Sequence, residues 1–258
     1  MRFIDTHAHL YSSPIKENIE GIMKNAMDNG IDTIIMPAID STTLEAMLEV
    51  EASYPQNTMA MMGLHPCSVK ENVKEELAII EAQLQKRKFI AIGEIGLDYY
   101  WDKTFTTEQM HAFEIQMQWA LDYKLPIAIH TRNAMGETIE AVKPFAKKGL
   151  RGIFHCFSGS KESAEQIISM DFHLGLGGVL TYKNAGVAEA IKDIPMEWLV
   201  LETDAPYLSP VPYRGKTNEP SYMIQVAMKL AEIKNLPLHE IASITTNNAE
   251  KLFGLGNS

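Results

Sequence analysis

Asp5-Thr6-His7-Ala8-His9 follows directly on the apolar start of the chain, Phe3-Ile4. If Phe3–His7 is a strand, side-chain alternation puts positions 5, 7 and 9 on one face, and both imidazoles point the same way. Seven more β-rich runs follow: Thr33–Met36, Met59–Leu64, Phe89–Glu94, Ile127–His130, Gly152–His155, Phe172–Leu176 and Leu199–Thr203. Several end as the first does, in groups that bind metals. The fourth closes on Gly93-Glu94-Ile95-Gly96, the fifth on His130, the sixth on His155 and the eighth on Glu202-Thr203-Asp204.

Between these runs lie segments of helical periodicity, at Ile15–Asn29, Leu44–Ala52, Val73–Lys86, Glu108–Tyr123, Glu162–Ser169 and Ala188–Lys192. Thr42 with Glu45, and Thr106 with Gln109, have capping-box spacing, while Gly30 and Gly149 suit helix C-termini. Ser221–Asn235 and Leu238–Ala249 read as two further helices. Eight strand–helix alternations in about 250 residues match a (β/α)8 barrel. The expected fold is therefore α/β, a single TIM-type barrel domain over 1–258 with extra C-terminal helices. A doubly wound open sheet alternates in the same way. Its dinucleotide fingerprint is missing, since no G-x-G-x-x-G follows the first strand and Gly175-Leu176-Gly177-Gly178 is late and wrongly spaced.

With 46% hydrophobic and 22% charged residues in 258, the composition is that of an ordinary globular protein, which excludes disorder. No apolar run approaches the ~18 residues of a membrane span, and MRFIDTHAHL has no apolar core for a signal peptide. Cys67 and Cys156 cannot build a disulfide framework, so a reducing cytoplasm is expected. No linker or charge block divides the chain. A net charge of −10 argues against a broad basic face for gripping duplex DNA. A narrow site where metal ions supply the positive charge remains open.

A barrel gathers its strand C-termini around one mouth. His7, His9, Glu94, His130, His155 and Asp204 are therefore expected to converge there. Each alone has an ordinary explanation, as a hydrogen-bonded interior histidine or a capping carboxylate. Burying all six unpaired would be costly, whereas divalent cations give every group a partner. Mixed imidazole and carboxylate ligands suit Zn2+, Mn2+ or Fe2+, while Mg2+ prefers oxygen.

The ordered set extends through Gly63-Leu64-His65-Pro66, Gly93-Glu94-Ile95-Gly96-Leu97-Asp98-Tyr99, His130-Thr131-Arg132 and His155-Cys156-Phe157-Ser158-Gly159. It ends in Glu202-Thr203-Asp204-Ala205-Pro206-Tyr207 and Arg214-Gly215-Lys216-Thr217-Asn218-Glu219-Pro220. In these motifs the chain resembles, essentially end to end, the TatD-type metal-dependent deoxyribonucleases, a branch of the amidohydrolase-like barrels. The resemblance implies two divalent metal ions per subunit. Glu94 would bridge them where many amidohydrolase relatives carry a modified lysine. His7 and His9 would hold one ion with Asp204 close by, and His130 and His155 the other. It implies Mg2+ or Mn2+ as the working ions, with Zn2+ an alternative occupant. The implied reaction is phosphodiester hydrolysis by a 3′–5′ exodeoxyribonuclease. Neither a membrane nor an obligate protein partner is expected.

For the mechanism, a water activated between two such ions would attack phosphorus in line with the leaving oxygen. Glu94 and Asp204 are the catalytic candidates, with Asp204 orienting the water and taking its proton. His65 and Arg132 are expected to bind phosphate oxygens. Arg132 shares a face with His130 and offers a planar fork. Arg214 and Lys216 lie in a loop, Leu208–Glu219, whose one acid is Glu219, and add the local positive charge a phosphate backbone needs. Tyr99, Tyr100 and Trp101 are placed either to stack on bases or to pack the loop. Sparse basic contacts favour single-stranded or frayed ends of DNA, with RNA a further partner. His111 and His239 read as surface or capping residues, and His173 has no partner motif. Alternation turns Cys156 away from the mouth, and Glu202 shares a face with Asp204. The rival reading is a metal-dependent hydrolase of a carbonyl substrate, either a small amide or ester or a D-aminoacyl-tRNA. Arg132, Arg214 and Lys216 count against a neutral substrate.

Overall fold

A computed structural model of the chain describes residues 1–255. Eight parallel strands form the wall: β1 (Phe3–Asp5), β2 (Ile31–Met36), β3 (Thr58–Ala60), β4 (Ile92–Asp98), β5 (Ile127–Arg132), β6 (Gly152–Phe154), β7 (Phe172–Leu176) and β8 (Leu199–Leu201). Continuous pairing runs β1-β2-β3 and β4-β5-β6-β7-β8. Two single bridges close the ring, Met62 with Ile92 and Ala8 with Ala205. The Thr6 amide, donating to Leu201 O at 3.1 Å, reinforces the second seam. This is the TIM-type barrel, and short strands with buried faces are what helices covering a parallel sheet demand.

The helices are α1 (Ile19–Asp28), α2 (Leu44–Ser53), α3 (Val73–Lys86), α4 (Thr106–Tyr123), α5 (Met135–Ala146), α6 (Lys161–Ile168), α7 (Val187–Ala190), α8 (Met223–Lys234) and α9 (Leu238–Phe253). No described helix is long and apolar enough to cross a membrane. Helix α5 has no counterpart among the segments expected from periodicity. Gly136 and Pro144 dilute its helical signal, yet Thr138, Ile139 and Val142 bury one coherent face. Neither expected capping box forms: Thr42 bonds back to Asp40 instead, and the helix at Thr106 starts without a side-chain cap.

Two apolar layers hold the barrel. The outer layer lies between strands and helices and includes Phe3, Phe113, Phe154 and Phe172. Inside the ring, Ile4, Ile35, Met61, Ala128, Ile153 and Val200 pack together, with Ala249 and Phe253 of α9 against them. Strand β7 contributes Gly175 beside Val200. A methyl on Gly175 would lie 2.3 Å from Glu202 Oε2, so its bare backbone makes room for a buried carboxylate.

The strand boundaries bear on the site. Expected to end at Glu94, β4 instead spans Ile92–Asp98, with a register shift between Ile92 and Ile95. Glu94 therefore sits inside the ring, and the strand carries Asp98 beyond it. Gly96 makes this possible. Its φ is 143°, and a methyl there would lie 2.0 Å from the His130 carbonyl oxygen on β5. Gly96→Ala is expected to cost about 2–4 kcal/mol by forcing β4 from β5. An unchanged urea midpoint would show that the strands can part without penalty.

His173, on β7, lies against the Trp198 ring at the opposite end of the barrel from the mouth, with centroids 5.4 Å apart. Burial pushes its pKa down to about 4, although backbone carbonyls of Glu197 and Gly152 oppose the shift. The unfolded chain then binds the proton more tightly, so stability falls as pH drops from about 6.5 towards 4. His173→Gln should flatten that part of the stability–pH profile, measured by urea titration. A slope equal to wild type would remove His173 from the acid response.

Candidate active site

The mouth is built from the residues that follow the strand ends. Glu94 is 2% exposed, and five imidazoles reach its carboxylate. On one side, Oε2 lies 3.1 Å from His7 Nε2 and 3.6 Å from His9 Nε2. On the other, Oε1 lies 2.9 Å from His130 Nδ1, 3.5 Å from His65 Nε2 and 3.6 Å from His155 Nε2. Asp204 Oδ1 is 3.4 Å from His9 and 3.9 Å from both His7 and His155. The six residues singled out as metal ligands thus meet in one place, and His65 joins them. His65, expected as a phosphate ligand from its place in Gly63-Leu64-His65-Pro66, has its ring 3.2 Å from that of His130.

Four of the five imidazoles have a polar group beside the ring nitrogen that faces away from Glu94; His7 does not. The Tyr11 hydroxyl lies 2.9 Å from His9 Nδ1 and donates to Pro37 O at 2.5 Å. The Cys67 amide donates to His65 Nδ1 at 3.0 Å, and Asp98 Oδ2 lies 2.9 Å from His130 Nε2. Glu202 Oε1 lies 2.9 Å from His155 Nδ1 and accepts the Cys156 amide at 2.6 Å. Asp5 accepts from the His7 amide and from the Thr203 amide and hydroxyl, which ties β1 to β8 beneath the site. Tyr11, Asp98 and Asp5 were missed in the sequence. Asp98 was within reach, because positions 94, 96 and 98 share a strand face once β4 is extended.

Electrostatics explain why these groups tolerate one another. Burial works to raise Glu94, but His65, His7 and His155 and the hydrogen bond from His130 hold it well below the carboxylate range. Burial lowers His7, assisted by His155, whose ring stacks on it at 3.5 Å. His155 goes the other way. Burial opposes its charge, yet Glu202, Glu94 and Asp204 drive it up to about 10. Burial pushes Asp5 up to about 7 against its three donors.

The donor set fits divalent cations. Three overlapping groups have ligand atoms within 4.8 Å of one another: His7, His9 and Glu94; His7, His155 and Asp204; His65, Glu94 and His130. The buried Nδ1 of His7 and Oε2 of Glu202 have no hydrogen-bond partner. Three carboxylates crowding one imidazole carry a surplus of negative charge that a cation would neutralise.

Around this centre the exposed side chains are aromatic and basic. Tyr100 is 49% and Trp101 67% exposed, and the Arg132 guanidinium lies 4.0 Å from one ring centroid and 5.0 Å from the other. Arg214 covers the Tyr182 ring at 3.9 Å, and Lys216 lies 5.8 Å from that of Tyr213. Tyr207, also exposed, meets the His9 ring edge-on. Tyr99 is not brought to the cluster. Asp98 accepts the amides of Tyr100 and Trp101, a turn that leaves Tyr99 in a hollow with Met110, His111 and Glu114 of α4. Cys156 corrects another expectation. Its φ of 47° breaks strand alternation, and its sulfur lies within 4.8 Å of ligand atoms on His155 and Glu202. Burial holds its thiol well above the usual range, which leaves it a poor nucleophile.

Fold and site together define a metal-dependent hydrolase built on an α/β barrel. The profile of the family described as TatD related DNase matches residues 4–254, and the chain belongs to that family. An uncharacterized metal-dependent hydrolase of Bacillus subtilis, YabD, is 40% identical over 250 residues, covering 96% of this chain and 98% of its own. YcfH of Escherichia coli, described in the same words, is 28% identical over 265 residues, covering 100% and 98%. The crystal structure of YJJV, a TatD homologue from Escherichia coli, superposes with a TM-score of 0.93 at 30% identity, covering 98% of each chain.

Glu94→Gln keeps the shape of the side chain but removes the charge that both imidazole sets face. The variant should stay folded and bind less Mn2+ per chain in equilibrium dialysis. Wild-type stoichiometry and affinity would show that Glu94 is not a shared ligand.

Proposed function

We propose that this hydrolase is a 3′–5′ exodeoxyribonuclease acting on single-stranded or frayed DNA ends, with one site on a single barrel domain. The observation that carries the reading is the division of Glu94: Oε2 faces His7 and His9, while Oε1 faces His65, His130 and His155. That division suits two divalent ions sharing one carboxylate. His7 and His9 would hold one beside Asp204, and His130 and His155 the other, with Mg2+ or Mn2+ in activity and Zn2+ an alternative occupant. Bound there, such ions supply Lewis acidity, polarising the phosphodiester and easing loss of a proton from water.

The chain's own groups do the remainder. Asp204, at 9% exposure, is the more open of the two central carboxylates. From there it orients the water and accepts its proton. Its φ of 58° is a strained backbone for a non-glycine residue, held by its amide donating to His7 O at 2.8 Å. Arg132, Arg214 and Lys216 bind phosphate, and His65 stands where it can reach either a phosphate oxygen or an ion. Tyr100, Trp101 and Tyr207 offer faces on which unpaired bases stack. So few basic contacts around the mouth suit a strand end, of DNA or of RNA, better than a long duplex.

The test is hydrolysis of end-labelled single-stranded DNA by metal-stripped protein, with Mg2+, Mn2+ or Zn2+ restored separately. Stepwise shortening from the 3′ end that requires metal is expected. Folded Asp204→Asn should lose activity by orders of magnitude with metal binding largely kept. Equal activity would remove Asp204 from proton transfer. Shortening from the 5′ end would correct the polarity. Cleavage of an ester or of a D-aminoacyl-tRNA, with none of DNA, would replace the phosphodiesterase by the carbonyl hydrolase.

A further inference from the structure

We propose that the barrel end opposite the mouth carries a second nucleic-acid contact, a basic face that holds the phosphodiester backbone of a strand away from its scissile end. The inference rests on the nuclease reading for its purpose and not for its measurement.

The chain has 33 acidic residues against 23 Lys and Arg, so a surface hollow should meet more acids than bases. Two adjoining hollows beneath β4–β6 reverse this. One, of about 540 Å3, is lined by Lys86, Arg87, Lys88, Phe89 and Tyr123 among others. The next, of about 450 Å3, is lined by Lys124, Lys148 and Arg151, and Leu125 belongs to both. No carboxylate lines either hollow. All six cations are exposed, as is neighbouring Lys147. Arg87 pairs with Glu51 at 2.7 Å. Among the described residues the other five enter no ion pair.

Helix dipoles do not account for this concentration. Helices α3, α4 and α5 do end here, and a cation near a helix C-terminus is favourable. Yet α1, α2 and α6 have no basic residue in their last turns. The charge is gathered in one sector, the same sector whose upper end carries Tyr100, Trp101 and Arg132.

The chemistry favours a nucleic-acid strand. Unpaired cations follow two contiguous hollows, and the Tyr123 ring, 40% exposed, stands among them. A strand supplies both partners, a regularly repeating anion and bases that stack. A lipid surface held stably would call for apolar anchors beside the cations, since charge alone gives a weaker and salt-sensitive attachment. Tyr123 is the one strongly exposed large apolar side chain lining these hollows among the described residues. The acidic net charge argues against a broad basic face for gripping duplex DNA, but the unpaired cations here are gathered in one sector.

The experiment compares wild type with the variant Lys88→Gln, Lys124→Gln, Lys148→Gln, Arg151→Gln. Both are metal-free, and binding to a fluorescent oligo-dT of about 30 nucleotides is followed by anisotropy over a KCl series. Affinity at low salt should fall at least about tenfold. The slope of log K against log salt should flatten by roughly 0.7 for each phosphate the variant no longer neutralises, about 3 in all. A pentamer should bind both proteins alike. Equal affinity and slope for the long oligomer would overturn the proposal. So would a loss of binding to phosphatidylserine-containing vesicles with oligomer binding intact.

Lysine acetylation footprinting of the wild type needs no variant to fold. Lys86, Lys88, Lys124 and Lys148 should be protected by the oligomer, while Lys24 and Lys229 are not. Absence of protection would also overturn it. Because no step requires cleavage, failure of the nuclease reading would show separately, in the hydrolysis assay.

Discussion

Glu94 is a carboxylate almost sealed from water, and much of the surrounding structure compensates for that burial. An isolated buried charge would neutralise or leave, so the chain must bring partners to it. The five imidazoles that do so come from the residues after β1, β3 and β6 and from β5. His130 and His155 belong to the sheet that carries Glu94, whereas His7, His9 and His65 come from the other sheet and reach Glu94 because the ring closes, through Met62 and Ile92 and through Ala8 and Ala205. Asp5 and Thr203 fasten one seam directly beneath the histidines. Barrel closure therefore completes the site, by adding His7, His9 and His65 to the half that β4, β5 and β6 already hold.

The mouth also concentrates conformational strain. Asn133, Cys156, Asp204 and Leu208, all beyond strand C-termini, hold φ between 47° and 58°. Such conformations cost of order 1 kcal/mol or more each and survive only where neighbours over-determine them. Here the restraints are visible, in the Asp204 amide on His7 O and the Cys156 amide on Glu202. The same strain breaks strand alternation at Cys156 and turns its sulfur towards Glu202.

The two ends of the barrel differ in chemistry. At the strand C-termini, aromatic rings and arginines surround a negatively charged centre whose geometry suits divalent ions. At the N-termini, α9 seats Phe253 against the inner core, and one sector gathers unpaired cations. An exonuclease of the kind proposed would gain from gripping the rest of the strand at a distance from the chemistry.

Alternation, spacing and residue chemistry by themselves determined the order of the strands, that of the helices apart from α5, and the convergence of His7, His9, Glu94, His130, His155 and Asp204. These are local patterns, and a barrel needs no further information to bring strand ends together. Helix α5 was illegible because its glycine and proline hide a periodicity that packing enforces. Only the tertiary structure decided that β4 runs on to Asp98, that His65 joins the imidazoles, and that Tyr99 turns away while Tyr100 and Trp101 stay exposed. Those outcomes rest on the meeting of distant segments: Gly96 against the His130 carbonyl, Gly175 against Glu202, and the turn at Asp98. No periodicity within one strand encodes the shape of its neighbour.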